Sequence, residues 1–307
     1  ICNSANNASG GALGASLFFD QGFMGLSLQT YKSQYGTVAE DEVTIGMKSD
    51  RAALEGAWRP RHGFIQSVDW QASQTRYQHT EFEGSEAGTV FANKGHDGRI
   101  QLRHKPWQSG AGTWEGVWGL QSEQARFSAN GAEAFAPFSH HQTQALFAIE
   151  EFSFGKASVN LGVRREQVSV QSLGNPDPSV DRFELGTRKF SPQSYAMSSS
   201  WQWLPNWRLG ANLSRTERAP KHYELFANGP HIATAAWERG QSGLGLETAN
   251  SMDLTASWQE GAHQMKMTAF QSRFGNFIGL LGTSEVEEDL PVQVYQGVRA
   301  KFAGFEA

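Results

Sequence analysis

The 307-residue chain has a single cysteine, Cys2. One thiol can build neither an internal disulfide framework nor a cysteine-based zinc site. No stretch of eighteen apolar residues occurs anywhere, which removes the transmembrane helix. It leaves the β-barrel open, because a barrel satisfies its backbone groups between strands and needs no long apolar run. An excess of basic residues is missing too. The 26 Lys and Arg are outnumbered by 31 Asp and Glu, for a net charge of −5. That balance argues against a nucleic-acid partner. Apolar residues make up only 39 % and mean hydropathy is −0.49, thin for a packed globular core. No nucleophile elbow, HExxH or P-loop is present, so no catalytic constellation or enzyme is expected, and no cofactor. Signal-peptide features are absent, since Ile1-Cys2-Asn3-Ser4 begins with neither Met nor a basic segment. The expectation is a chain that starts inside a longer protein.

What the chain does contain is 10 Trp, 20 Phe, 6 Tyr and 33 Gly on a polar background. This mixture suits a barrel with one lipid-facing surface, one wet surface and aromatic girdles between. The dominant pattern has period two, the signature of strands whose side chains alternate between faces. Val159, Leu161 and Val163 alternate with Ser158, Asn160 and Arg164. Trp201, Trp203, Trp207, Leu209, Ala211 and Leu213 share one parity, as do Met252, Leu254, Ala256 and Trp258. Val292, Val294, Val298 and Phe302 alternate with Gln293, Tyr295, Arg299 and Lys301. Compact turn signals fall at 20–22, 60–63, 154–156, 204–206 and 260–262, and long polar breaks at 130–142, 173–190, 218–246 and 280–291. Short turns alternating with long loops is the order of an outer-membrane barrel. A soluble propeller or β-helix would show a fixed repeat, and none exists. About a dozen strands are expected, many longer than the roughly 10 residues that cross a bilayer.

Several stretches resemble the TonB-dependent outer-membrane receptors, in the branch that includes zinc and haem receptors. The strongest is Arg218-Ala219-Pro220 followed by Tyr223 to Thr234, similar to that family's "ERAP..ELFANG.H.AT" loop. Phe270 to Ile278 resembles its "F..RF.NYI" segment, and Phe302 to Ala307 its "F.G.EAE" strand. Tyr77 to Gly84, Gly88 to Phe91 and Asn93 to Gly95 form a fourth match. The resemblance implies an all-β, antiparallel transmembrane barrel in which residues 1–307 supply about a dozen of 22 strands. It implies a barrel domain incomplete at both ends, without the plug that precedes it. It also implies residence in the outer membrane of a Gram-negative bacterium, in contact with lipid and lipopolysaccharide. Energy would come from the TonB complex through the missing plug.

Candidate ligand residues follow. His79, Glu81 and Glu83 alternate at the outer end of an expected strand, and imidazole with carboxylate is a plausible zinc set. The resemblance makes His79, with Glu81 or Glu83, one contributor. Beside this stands the plain reading of a polar strand end in the lumen. His231 occupies the histidine position of the family loop and is the best single candidate, with His222, Glu224 and Glu238 nearby. The plain alternative is a loop shaped by Pro220, Gly229 and Pro230, with His231 hydrogen-bonded inside it. His140-His141 reads as a loop pair, and Glu285, Glu287, Glu288 and Asp289 as a solvated external loop able to concentrate cations. His96 and His104 read as strand residues and His62 as a turn residue, none with an acidic partner at a persuasive spacing. Trp201, Trp203, Trp207, Trp258, Phe274 and Phe277 read as interface girdle. The expected function is import of a metal or metal chelate, with zinc first, then haem or a ferric siderophore. A passive porin-like channel or adhesin and a surface enzyme on a barrel are the rivals.

Overall fold

A computed structural model describes residues 3–37, 42–131, 133–231 and 234–307. Among them, seventeen strands join one sheet. The long ones are β1 (Asn6–Phe19), β2 (Gly22–Gly36), β3 (Val43–Trp58), β4 (Ile65–Glu83), β5 (Glu86–His104), β7 (Gly112–Asn130), β8 (Ser139–Phe154) and β9 (Ala157–Ser172). They continue as β11 (Gln193–Leu204), β12 (Trp207–Arg218), β15 (Glu247–Glu260), β16 (His263–Glu287) and β17 (Leu290–Glu306). Each pairs antiparallel with the next in this order. The short strands are accessories. β6 (Trp107–Ser109) lies on β7, and β10 (Gly186–Phe190) extends the upper part of β9. β13 (Asn228–His231) and β14 (Ala236–Arg239) form a hairpin, and β14 adds in parallel to β17. No pairing joins β1 to β17 among the described residues, so the wall is an unclosed barrel sheet.

The two ends of the wall differ. At one end the connections are short, with Gly155 and Gly261 at φ 55° and 58° in two-residue turns that a side-chain-bearing residue adopts at a cost. At the other end lie the segments 131–138, 173–185 and 219–246. Two expected loops are strand instead. β8 begins at Ser139, so His140 and His141 stand on a strand and point to opposite faces. β16 runs through Glu287, and Glu288 and Asp289 alone make the turn, with φ 49° and 62°. Glu285 and Glu287 both bind Arg239, which fixes a segment whose polarity reads as loop.

Cross-strand register separates the faces. Ile100, Leu120 and Leu146 are direct neighbours across β5, β7 and β8, and are 52 %, 58 % and 60 % exposed. Leu161, Met197, Leu213 and Met252 form a similar outward row. The alternate positions carry Arg99 and Arg164, whose guanidinium carbons lie 4.4 and 6.0 Å from the Phe147 ring, and an Asn212–Asp253 bond of 2.9 Å. The outward face is thus apolar and the inner face polar, the arrangement a bilayer enforces. Trp201, Trp203, Trp207 and Trp258 gather near the short turns on the outward parity. Phe274 does not belong to that girdle. It shares the inner face with Phe302 and meets Phe277 and Phe302 edge to face at 5.1 and 5.6 Å. Alternation along β16 is unbroken from Met265 to Phe274, which places Phe274 on the inner face, and a bulge follows only between Phe274 and Phe277. His104, for which the sequence offers no acidic neighbour, meets Glu150 at 3.1 Å through register across the wall.

Candidate functional site: the mouth of the barrel

Arg218 closes β12 and organises the segment that follows. Its guanidinium reaches Glu224 at 2.8 and 3.1 Å and Glu247 at 3.0 Å through two nitrogens. Glu224 also accepts the backbone N–H of Lys221 at 2.6 Å, and Glu247 that of Ile278 at 2.9 Å. A planar fork with five donors suits two carboxylates at once, a task lysine cannot perform. Pro220 stops the strand, and the short helix α1 (His222–Phe226) turns the chain over the lumen. Leu225 and Phe226 are buried against Val168, Val170 and Ile278, contributing about 2 kcal/mol each.

Asn228 then clasps three loops. Its N–H donates to Phe135 O at 2.9 Å, its side-chain amide donates to Arg182 O at 2.8 Å, and its side-chain oxygen accepts Trp237 Nε1 at 3.0 Å. Gly229 passes so close to the neighbouring loop that a Cβ would sit 2.6 Å from Ala134 O. Glycine here serves close approach rather than an unusual φ.

The buried carboxylate of Glu238 is the hub. His231 Nδ1 lies 2.7 Å from its Oε1, Thr234 Oγ1 lies 3.0 Å from the same oxygen, and Tyr295 Oη donates to Oε2 at 2.8 Å. Burial pushes this carboxyl up, but the hydrogen bonds from His231 and Tyr295 outweigh it and hold Glu238 below the ordinary glutamate value. An ionised carboxylate only accepts, so His231 Nδ1 carries the proton. Its Nε2 then presents a lone pair whenever the ring is neutral. A carboxylate behind a histidine in this way orients the ring and raises its basicity toward a metal.

Aromatic rings connect this dyad to the opposite wall. Phe135 stacks on His231 at 4.2 Å and 7°, and lies 6.4 Å from Phe91. Phe91 stacks on His79 at 4.6 Å and 17°. A second path runs from Phe91 through Phe127, His222 and Tyr223 to Tyr295. His222 lies inside this path, and burial, with His141 and Lys221 close by, pushes its imidazole down to about 4. It is therefore neutral at physiological pH.

The sequence candidates are placed unequally. His79, Glu81 and Glu83 do occupy alternate positions of β4, with a bulge in β5 opposite Glu81. Among the described residues no group of three His, Cys, Asp or Glu could hold a metal ion. His231 and Glu238 are brought together; His79 is joined to them at a distance, through Phe91 and Phe135 and by the second path that ends on Tyr295. The circuit of rings and Tyr295 were not foreseen. In the sequence Glu238 stood only as one of several residues near His231.

An apolar-outward, polar-inward antiparallel wall with one long-looped end defines an outer-membrane β-barrel protein. The chain belongs to the family of TonB dependent receptor-like β-barrels, whose description fits residues 3–307. That family consists of receptors and transporters rather than enzymes or passive channels, and it resides in the outer membrane of Gram-negative bacteria. Similar folds include the hemophore receptor HasR of Serratia marcescens, solved with its hemophore HasA and heme. It is 12 % identical with a TM-score of 0.79, over 97 % of this chain and 51 % of that one. The copper transporter OprC is 14 % identical with a TM-score of 0.81, over 99 % and 49 %. The siderophore receptor PirA of Pseudomonas aeruginosa is 13 % identical with a TM-score of 0.70, over 98 % and 52 %. The chain spans about half the length of these structures.

Proposed function

We propose that residues 1–307 form wall and mouth of a TonB-dependent importer of a metal chelate, and that His231 Nε2 is its metal-directed donor. The observation that carries this reading is the His231–Glu238 pair, set at the mouth and flanked by stacked rings. One imidazole with aromatic neighbours suits a ligand that brings most of its own coordination sphere, such as haem or a ferric or cupric chelate. The similar folds named for heme, copper and siderophores support this class. Zinc takes second place, because it would need further donors from outside these residues. In this reading a plug domain contributed from beyond residues 1–307 closes the path, and the TonB complex moves it.

The test uses the full-length parent protein in detergent. Hemin and a ferric chelate are titrated against wild type, His231→Ala and Glu238→Gln, with zinc binding measured alongside. The expected outcome is at least tenfold weaker binding of one metal chelate for His231→Ala and a smaller loss for Glu238→Gln. Unchanged affinity for every chelate in both variants refutes the assignment.

A further inference from the structure

One charged cluster lies far from the mouth, at the short-turn end of the wall. His104 closes β5 there and is 1 % exposed. It keeps the outward parity of Ile100 along an unbroken register, and Glu150 on β8 keeps that of Leu146. One strand, β7, separates the two. Glu150 lies directly opposite Gly116 of β7, and a Cβ at Gly116 would collide with its carboxylate. Glycine therefore opens the passage by which the carboxylate crosses β7 and comes to 3.1 Å from His104 Nε2. Trp118 Nε1 donates to its other oxygen at 2.6 Å. Phe64 covers the imidazole, stacked at 5.1 Å and 7°.

Both ring nitrogens of His104 face oxygens. Nδ1 lies 2.9 Å from Lys105 O, a carbonyl that only accepts, so Nδ1 carries a proton. A second proton must lie between Nε2 and Glu150 Oε2, whichever atom holds it, because without it two lone pairs face each other. The other charges around the pair do not supply a substitute. Glu115 on β7 adds a further negative field. The Lys105 ammonium turns to Arg61 O at 3.4 Å, and Arg61 reaches Asp20 at 3.7 Å. Phe64 also ends the turn 59–64 between β3 and β4, and its carbonyl accepts the N–H of Lys105 at 2.8 Å. The cluster and the turn thus share one lid.

We infer that the proton between His104 and Glu150 is a latch that holds Phe64 and the turn 59–64 against the wall, and that the turn loosens when this proton leaves. With the proton the pair is neutral as a whole and stays covered. Without it an ionised carboxylate faces an imidazole lone pair, and only water entering beneath Phe64 satisfies both. The closed turn binds the proton more tightly than the open one, so closure is favoured at low pH and is lost as pH rises. The latch is independent of which ligand is imported at the mouth.

The test follows amide protection factors of 59–64 and of Lys105 in the full-length protein in detergent, from about pH 6 to about pH 9, across and above the ordinary imidazole range. Wild type is expected to lose protection by about tenfold or more as pH rises, while the turn at 154–156 holds. Glu150→Gln is expected to stay protected and flat, because a carboxamide can accept from an N–H or donate to a lone pair. The double variant His104→Phe, Glu150→Gln should also be flat. Gly116→Ala, which displaces the carboxylate without removing a titrating group, should be poorly protected at every pH. A flat wild type overturns the inference, as does a fall in Glu150→Gln or in the double variant as large as that of wild type.

Discussion

Replacing Arg218 by Gln tests whether the segment over the lumen is held by its charges or only by its apolar contacts. The substitution removes four contacts of 2.8–3.1 Å and leaves Glu224 and Glu247 facing each other with side chains 8 % and 16 % exposed. Orphaning a buried ion costs about 3–5 kcal/mol. Each carboxylate keeps one backbone donor and the guanidinium is 35 % exposed, so the low end, about 3 kcal/mol, applies. The loss is local. The amides of Leu225, Ala227, Gly240 and Gln241 close the hydrogen bonds of this segment, whereas the wall has its own ladder. Hydrogen exchange at those four amides should therefore accelerate by about 150-fold, the equivalent of about 3 kcal/mol, while β12 and β15 amides hold. Adding Glu224→Gln should recover part of the protection, because one of the opposed charges is gone. Acceleration below fivefold, or equal acceleration throughout the wall, would show that the apolar contacts alone anchor the segment.

Gly229→Ala should loosen the clasp between loops by about 1–3 kcal/mol, since its Cβ meets Ala134 O at 2.6 Å; faster proteolysis of 131–138 and 219–246 reports it. Leu213→Arg on the outward face should reduce barrel stability by about 2–4 kcal/mol in lipid, and Asn212→Arg on the inner face by far less, read by urea unfolding in vesicles. Equal costs would invert the assignment of faces. His222 is depressed from 6.5 to about 4, so the unfolded segment binds the extra proton in that window. Its contribution is complete above pH 6.5 and fades as pH falls toward 4. Protection factors in α1, which divide out the intrinsic pH dependence of exchange, should fall over that range in wild type and stay flat in His222→Phe.

How much of this was legible depended on what each signal rests on. The wall was readable because alternation at Leu161, Leu213 and Met252 is enforced residue by residue by lipid on one side and water on the other. Compact turns at 154–156 and 260–262 were readable from glycine chemistry. Strand ends were not. Polar residues continue a strand above the membrane as readily as they form a loop, so His140, Glu285 and Glu287 were misplaced. Phe274 was misplaced because an aromatic residue suits either face of a strand, and only its parity with Phe270 and Ser272 on β16 marks it as inward. His231 was visible through a motif and Glu238 only as a neighbour. Tyr295, fifty-seven residues from Glu238, reaches the hub through tertiary folding that no local pattern encodes.

The parallel rung that sets Trp237 to Arg239 beside Val292 to Val294 also dictates an order of assembly. Three residues must wait for a landing strip synthesised more than fifty positions later, and such distant closure is slow. The rim therefore settles last, after neighbouring staves have zipped, and a chain halted midway would show sound staves beneath a slack, unfastened lid.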